Sequence, residues 1–152
     1  MYPLWIATIF IAMVSIYAAN EIPRREAEAA YLIADVSAIN FLSYRQAVSK
    51  YLDDNPGATG VIDDAALATY WQPGYLRDPR WTNLVDGTAL YVHSTAIVPQ
   101  DTVFQVYKRT DESLLVGIKN SGTGRLHTPI GFDTGINLPA SIPDNSIVMI
   151  GR

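Results

Sequence analysis

An uncharged segment at the start of the chain constrains its fold more than any other feature. Residues 2–19 read YPLWIATIFIAMVSIYAA, and the first charged side chain in the sequence belongs to Glu21. As a helix, these residues span roughly 27 Å at about 1.5 Å per residue, close to the hydrocarbon thickness of a bilayer, about 30 Å. Trp5 and Tyr17 stand near its two ends, as aromatic residues do at membrane interfaces. The segment therefore predicts an N-terminal membrane anchor over residues 1–20.

The apolar side chains of this anchor are the ones expected to contact lipid. They are Tyr2, Leu4, Trp5, Ile6, Ile9, Phe10, Ile11, Met13, Val14, Ile16 and Tyr17. A cleaved signal peptide is one alternative, but it would carry basic residues before the apolar run and small residues at the cleavage site. A buried core helix is another, although a helix that is apolar all round at a terminus needs a larger protein to cover it.

Residues 21–152 are numerous enough for one globular domain with its own core. Apolar side chains recur mostly at spacings of three and four, which predicts a long amphipathic helix over residues 24–53. Pro23 predicts a kink or a fresh helix start before it. The sequence Asn55-Pro56-Gly57 ends the helix. A short second helix is predicted over residues 64–70, with Asp63 as its N-cap.

Beyond Gly87 the residue pattern changes to the alternating and β-branched kind that is typical of strands. The predicted strands cover residues 88–93, 102–108, 113–119 and 146–150, with a hairpin turn at 109–112 and a short extra strand at 134–138. Helices followed by strands indicate an α+β fold with an antiparallel sheet over residues 87–152.

The composition excludes several kinds of function. The formal net charge of −4 gives no basic surface for nucleic acid. With no cysteine, the chain has neither disulfides nor thiolate metal sites nor a cysteine nucleophile. His93 and His127 lack a surrounding motif, so structural roles are favoured for both. We predict no catalytic residue, cofactor or metal, and a small membrane-tethered hydrolase built around one histidine is the unfavoured alternative.

Two further patterns have structural explanations. Asp53-Asp54 and Asp63-Asp64 lie at predicted helix ends, where aspartate caps backbone amides and favours the helix dipole. Residues 120–125 (NSGTGR) contain two glycines, but they lack the lysine and hydroxyl residue that a phosphate-binding loop places after its last glycine. We interpret the aspartates as caps and the glycine segment as a turn between strands.

Residues 70–86 are predicted to form an aromatic loop. Its aromatic residues are Tyr70, Trp71, Tyr75 and Trp81. If exposed, they would form a partner-contact surface, because tryptophan and tyrosine dominate interface energetics. If buried, they hold the loop against the domain, which is the reading we favour for most of them.

Three segments in a fixed order resemble a known family. They are Asn40 to Val48 (NFLSYRQAV), residues 55–60 (NPGATG) and residues 70–75 (YWQPGY), all following a short anchor. This organisation resembles the PilM proteins encoded with plasmid-borne thin pili, a branch of the type IVb pilus systems. The resemblance implies an inner-membrane component of a pilus assembly apparatus that binds other pilus assembly proteins and has no catalytic residues. Further copies of the chain are another candidate partner.

The anchor, long helix and sheet also look like the architecture of type IV pilins. A minor pilin-like subunit that enters the fibre is therefore the alternative. Against a true pilin, the sequence starts Met1-Tyr2-Pro3-Leu4-Trp5, without a basic leader, a processing glycine or the glutamate expected at the fifth position of the mature helix. The resemblance implies a periplasmic domain, whereas Arg24 and Arg25 favour the cytoplasm by the positive-inside rule. Because these two arginines are a weak signal among glutamates, we favour the periplasm.

Overall fold

A computed structural model describes residues 2–99 and 101–151, and the side chains among them apart from residues 2–4 and 20. Its helices are α1 (Tyr2–Asp54), α2 (Asp64–Leu67) and α3 (Thr102–Arg109). Its strands are β1 (Trp81–Asp86), β2 (Ala89–Ser94), β3 (Val116–Lys119), β4 (Arg125–His127), β5 (Asp133–Asn137) and β6 (Ile147–Gly151). The strands form an antiparallel sheet in the order β1-β2-β6-β3-β4-β5. This architecture confirms the predicted α+β class.

Helix α1 contains Pro23 in its interior. The fresh helix start predicted at Ile22–Pro23 is therefore wrong, because one helix runs through the proline. Proline in a helix interior removes one hydrogen bond and costs about 3 kcal/mol. The alanines and glutamates of residues 26–30 favour the helix strongly enough to continue it past that defect. Glu21 and Arg25 form an ion pair of 3.2 Å across the proline, which adds little because Arg25 is exposed.

Contacts within the chain divide it into residues 1–33 and residues 34–152. The first part belongs to a helix that is long and apolar enough to cross a membrane. Its predicted lipid-facing side chains are each more than half exposed: Trp5, Ile6, Ile9, Phe10, Ile11, Met13, Val14, Ile16 and Tyr17. The side chains of Tyr2 and Leu4 lie outside the described residues. Such exposure argues against the alternative of a buried core helix.

In the second part, the main core lies between α1 and one face of the sheet. Helix residues at spacings of three and four are at most 2% exposed, namely Ala38, Phe41, Tyr44, Val48 and Leu52. They share one cluster with sheet residues that include Trp81, Leu90, Val92, Val116 and Ile147. Burying one large apolar side chain contributes about 1.5–3 kcal/mol, so this contact stabilises the domain more than any polar pair.

The opposite sheet face carries a smaller cluster of Leu126, Leu138, Ile142 and Val148. Lys119 holds the segment between β5 and β6 over this cluster. Its ammonium donates hydrogen bonds to the carbonyl oxygens of Ile142 (2.6 Å) and Pro139 (3.3 Å). The Asp144 carboxylate lies 3.3 Å from it. A buried ammonium is tolerated only with partners of this kind, so Lys119 fixes the position of the segment.

The strand predicted over residues 102–108 is wrong, because these residues form helix α3. Thr102, Val103 and Val106 are β-branched and favour strands locally. In the fold, Thr102, Gln105 and Val106 are buried, and this spacing of three and four is that of a helix face. The hairpin predicted at residues 109–112 is also wrong. Arg109 is the last residue of α3, and residues 110–112 connect this helix to the segment before β3.

Residues 70–86 do not form a single loop, because their last six residues are strand β1. Strand β4, which has three residues, was also not predicted. The strands predicted at 88–93, 146–150 and 134–138 are confirmed as β2, β6 and β5. The strand predicted over 113–119 is confirmed only for its last four residues. Helix α2 is shorter than predicted, and Asp63 takes its N-cap position without a side-chain hydrogen bond.

Candidate partner-contact surface

Trp81 is the only one of the four predicted contact residues that is fully buried, with 0% of its surface exposed. Its ring meets the ring of Phe41 edge to face, with 5.0 Å between the centroids. Its indole Nε1 donates a hydrogen bond of 2.9 Å to Oδ1 of Asn40. Trp81 therefore belongs to the core and offers no surface to a partner.

Tyr70 lies apart from the other three predicted contact residues and packs against the C-terminal end of α1. Its hydroxyl donates a hydrogen bond of 2.9 Å to Oδ2 of Asp54. Its ring meets Tyr51 edge to face at 5.5 Å. The bond to the Asp54 carboxylate is the largest cause of a raised pKa for Tyr70. These contacts attach the segment after α2 to the helix.

Trp71 and Tyr75 extend a stack of rings that begins on α1. Trp71 stacks on Tyr44 with 5.9 Å between centroids and on Tyr75 with 5.0 Å. The guanidinium of Arg77 lies 4.6 Å from the Tyr44 ring, and its Nε donates 2.8 Å to Asp64. Stacked rings and a cation over a ring each add stabilisation beyond that of the apolar area they bury. Residues 71–77 are therefore held in one conformation although they contain no regular structure.

Asn40 connects α1 to this loop and to the first residue of β1 through three hydrogen bonds. Its Oδ1 accepts from Trp81 Nε1 (2.9 Å) and from the Tyr75 hydroxyl (3.2 Å), and its Nδ2 donates to the Leu76 carbonyl (2.8 Å). Burial raises the pKa of Tyr75 to about 12, which keeps its hydroxyl protonated as a donor. In the sequence alone, Asn40 has no role beyond its place at the start of the segment Asn40 to Val48. Its signal was an asparagine, a weak helix former, in the middle of a long helix.

Between α1 and the loop lies a groove of about 420 Å³, called here the α1–loop groove. Val36, Ile39, Asn40 and Ser43 line it on the helix side, and residues 72–76 line it on the other. Val36 is 65% exposed, Ile39 44% and Leu76 81%. None of the lining residues carries a charge, although the chain as a whole is acidic. The α1–loop groove is the candidate partner-contact surface.

Replacing Asn40 with alanine is expected to lower the free energy of unfolding by about 2 kcal/mol, because two donors and one carbonyl of the loop lose their partner. The measurement is chemical denaturation of the full chain in detergent, followed by circular dichroism. Ser43→Ala, one turn away on the same helix face, serves as the control and is expected to change little. Equal losses for both variants would contradict the role of Asn40.

The structure does not bring the two histidines together. His93 lies on β2 and His127 on β4, with β6 and β3 between them in the sheet. At about 4.8 Å per strand, this separates them by roughly 14 Å. Ser94 accepts a hydrogen bond from the Ile147 amide and, as expected for adjacent strand residues, belongs to the other face from His93. His127 Nε2 lies 3.8 Å from Asp133 Oδ2 of the neighbouring strand β5, away from His93.

The other patterns singled out in the sequence take structural positions. Asp54 accepts from Tyr70, and Asp64 pairs with Arg77. Among residues 2–99 and 101–151, no three histidine, aspartate or glutamate side chains converge as a metal site would require. Residues 120–124 form the turn between β3 and β4, in which Asn120 Oδ1 accepts from the amides of Gly122 and Thr123.

Comparison with known proteins gives two similarities. The sequence profile of the PilM family matches residues 9–150. A crystal structure of a protein proposed to be PilM from Escherichia coli B7A is similar with a TM-score of 0.57 and 23% sequence identity, over 78% of this chain and 90% of that one. At this identity the likeness shows the fold. The comparison with curated proteins gave no match.

Proposed function

Because the chain belongs to the PilM family, we propose that it is an inner-membrane component of a type IVb pilus assembly apparatus. In this role it binds other pilus proteins and catalyses no reaction. The observation that carries the proposal is the α1–loop groove, whose apolar side chains face solvent while the loop behind them is fixed by Asn40 and stacked rings. A preformed apolar surface binds a partner without the cost of ordering it first.

Residues 1–20 anchor the protein in the inner membrane under this proposal. Support comes from the long apolar helix and from the exposure of its described side chains. We place the domain in the periplasm. A reporter that is active only outside the cytoplasm, fused after Arg152 through a flexible linker, tests this orientation. An inactive reporter on an intact, membrane-bound fusion would mean that Arg24 and Arg25 had set the opposite orientation.

The proposed function is tested with paired substitutions in the host that makes the pilus. Ile39→Lys places a charge in the α1–loop groove, and Ile97→Lys places one at a 95% exposed position outside it. We expect Ile39→Lys to lower the yield of sheared pili several-fold and Ile97→Lys to leave it unchanged, at equal amounts of protein in the membrane. Equal yields for both variants would count against the groove as the functional surface.

The same fractions distinguish assembly factor from fibre subunit. An assembly component stays in the inner-membrane fraction, where chemical crosslinking joins it to pilus proteins. A minor pilin-like subunit is recovered with the sheared fibres. Recovery in the fibre would replace the proposal with that alternative, and absence of any crosslink to a pilus protein would remove its support.

A further inference from the structure

We propose that the α1–loop groove is the contact between two copies of this chain, related by a two-fold axis. The inference rests on the proposed function in one respect, namely that both copies are anchored in the same membrane by their N-terminal helices. It goes further by naming the occupant of the groove: the pilus protein that binds there is a second copy of this chain, and other pilus proteins bind elsewhere on the domain.

The charge distribution favours a second copy. The chain carries a formal net charge of −4, so most parts of its surface would repel a second copy. The α1–loop groove is lined by apolar and uncharged polar residues only. Two acidic chains can therefore meet here without placing like charges opposite each other. An uncharged surface also gives no electrostatic attraction for a strongly basic or acidic partner.

The surface also has the two parts that a self-complementary contact needs. Leu76 is 81% exposed and stands beside the groove that it helps to line. In a two-fold interface the same patch is used by both subunits, so a protrusion and a cavity must occur on one patch. Leu76 of each copy is the protrusion, and the groove beside Val36 and Ile39 of the other copy receives it.

Residue spacing on α1 fits a parallel helix pair. In the sequence, Val36, Ile39 and Ser43 follow one another at spacings of three and four. This is the spacing of the a and d positions through which two helices pack in parallel. In a parallel two-fold pair, each of these residues lies opposite its counterpart in the other copy.

The absence of cysteine makes disulfide crosslinking a direct test. Val36→Cys and Ile39→Cys are each introduced into the full chain, and two differently tagged copies are expressed together in membranes and oxidised. A disulfide needs Cβ atoms about 3.5–4.5 Å apart, so crosslinking reports close contact. We expect covalent dimers carrying both tags. Tyr31→Cys, on the same helix but off this spacing, and Ile97→Cys elsewhere, both exposed, are the controls and should give none.

A second substitution tests the protrusion. Leu76→Glu added to Val36→Cys should lower the dimer yield about tenfold, which corresponds to about 1.4 kcal/mol. Unchanged circular dichroism and thermal unfolding of the same protein show that it is folded. Equal crosslinking at all four positions, or none at Val36 and Ile39, overturns the proposal. If these cysteines instead crosslink to a different pilus protein, self-association is overturned while the proposed function stands.

Discussion

Replacing Trp81 with alanine is expected to lower the free energy of unfolding by about 3–5 kcal/mol, the usual cost of removing a fully buried tryptophan. The change removes the edge-to-face contact with Phe41 and the hydrogen bond to Asn40, and leaves a cavity in the main core. Since domains of this size are stable by about 5–15 kcal/mol, the loss is a large part of the total. Denaturant unfolding in detergent, followed by circular dichroism, measures it.

Two variants separate the causes of this loss. Trp81→Phe keeps a large ring and removes the N–H donor, so about 1–1.5 kcal/mol should be lost. Trp71→Ala is the matched control on a partly exposed tryptophan, and a smaller loss than that of Trp81→Ala is expected. If the two alanine variants were equally unstable, Trp81 would not have the central core position described above.

Acidification is expected to destabilise the domain through His93. Burial, and to a smaller degree the nearby Lys119 ammonium, lowers the pKa of this histidine from 6.5 to about 4. Between these values the unfolded chain binds a proton that the folded chain does not. The free energy of unfolding should therefore fall as the pH is lowered from 6.5 to 4, by about 3 kcal/mol in total, and His93 should add nothing to the change below that window.

His93→Leu tests this dependence. The Nδ1 atom of His93 has no hydrogen-bond partner, so the substitution sacrifices no bond at that atom. We expect the variant to lose most of the slope between pH 6.5 and 4 and to keep its stability near pH 7. His127→Gln is the control and should retain the slope, because His93 is still present. A slope that survives His93→Leu would mean that other groups, such as the carboxylates, cause the acid sensitivity.

Sequence reasoning succeeded where a pattern was long and local. The N-terminal apolar helix and the helical residues after it were visible because apolar residues repeat over many turns. It failed at α3, where Thr102 and Val106 favour a strand locally and become a helix face only when the sheet is present. It failed at β1 because Asn83, in the middle of that strand, looks like a loop residue.

The fold resolves the difficulty at Asn83, which is fully buried. Its amide exchanges hydrogen bonds with the backbone of Ile62 (2.8 and 2.9 Å) and donates one of 2.8 Å to the Tyr44 hydroxyl. These partners are about 20 and 40 residues away along the chain, so no local pattern indicates them. The candidate surface was likewise predicted only in part. Its aromatic residues are evident in the sequence, whereas the role of Asn40 and the groove are seen only in the fold.

The strand order has a consequence for how the protein is made. Strand β6 is the last in sequence, yet it joins the β1–β2 hairpin on one side to β3, β4 and β5 on the other. During synthesis from the N-terminus, each of these two groups can pair its own strands early, but no strand joins one group to the other. The main core also lacks Ile147 and Met149 until β6 joins the sheet. A chain cut short before Ile147 lacks the strand that joins the two groups, so we expect it not to reach the native state.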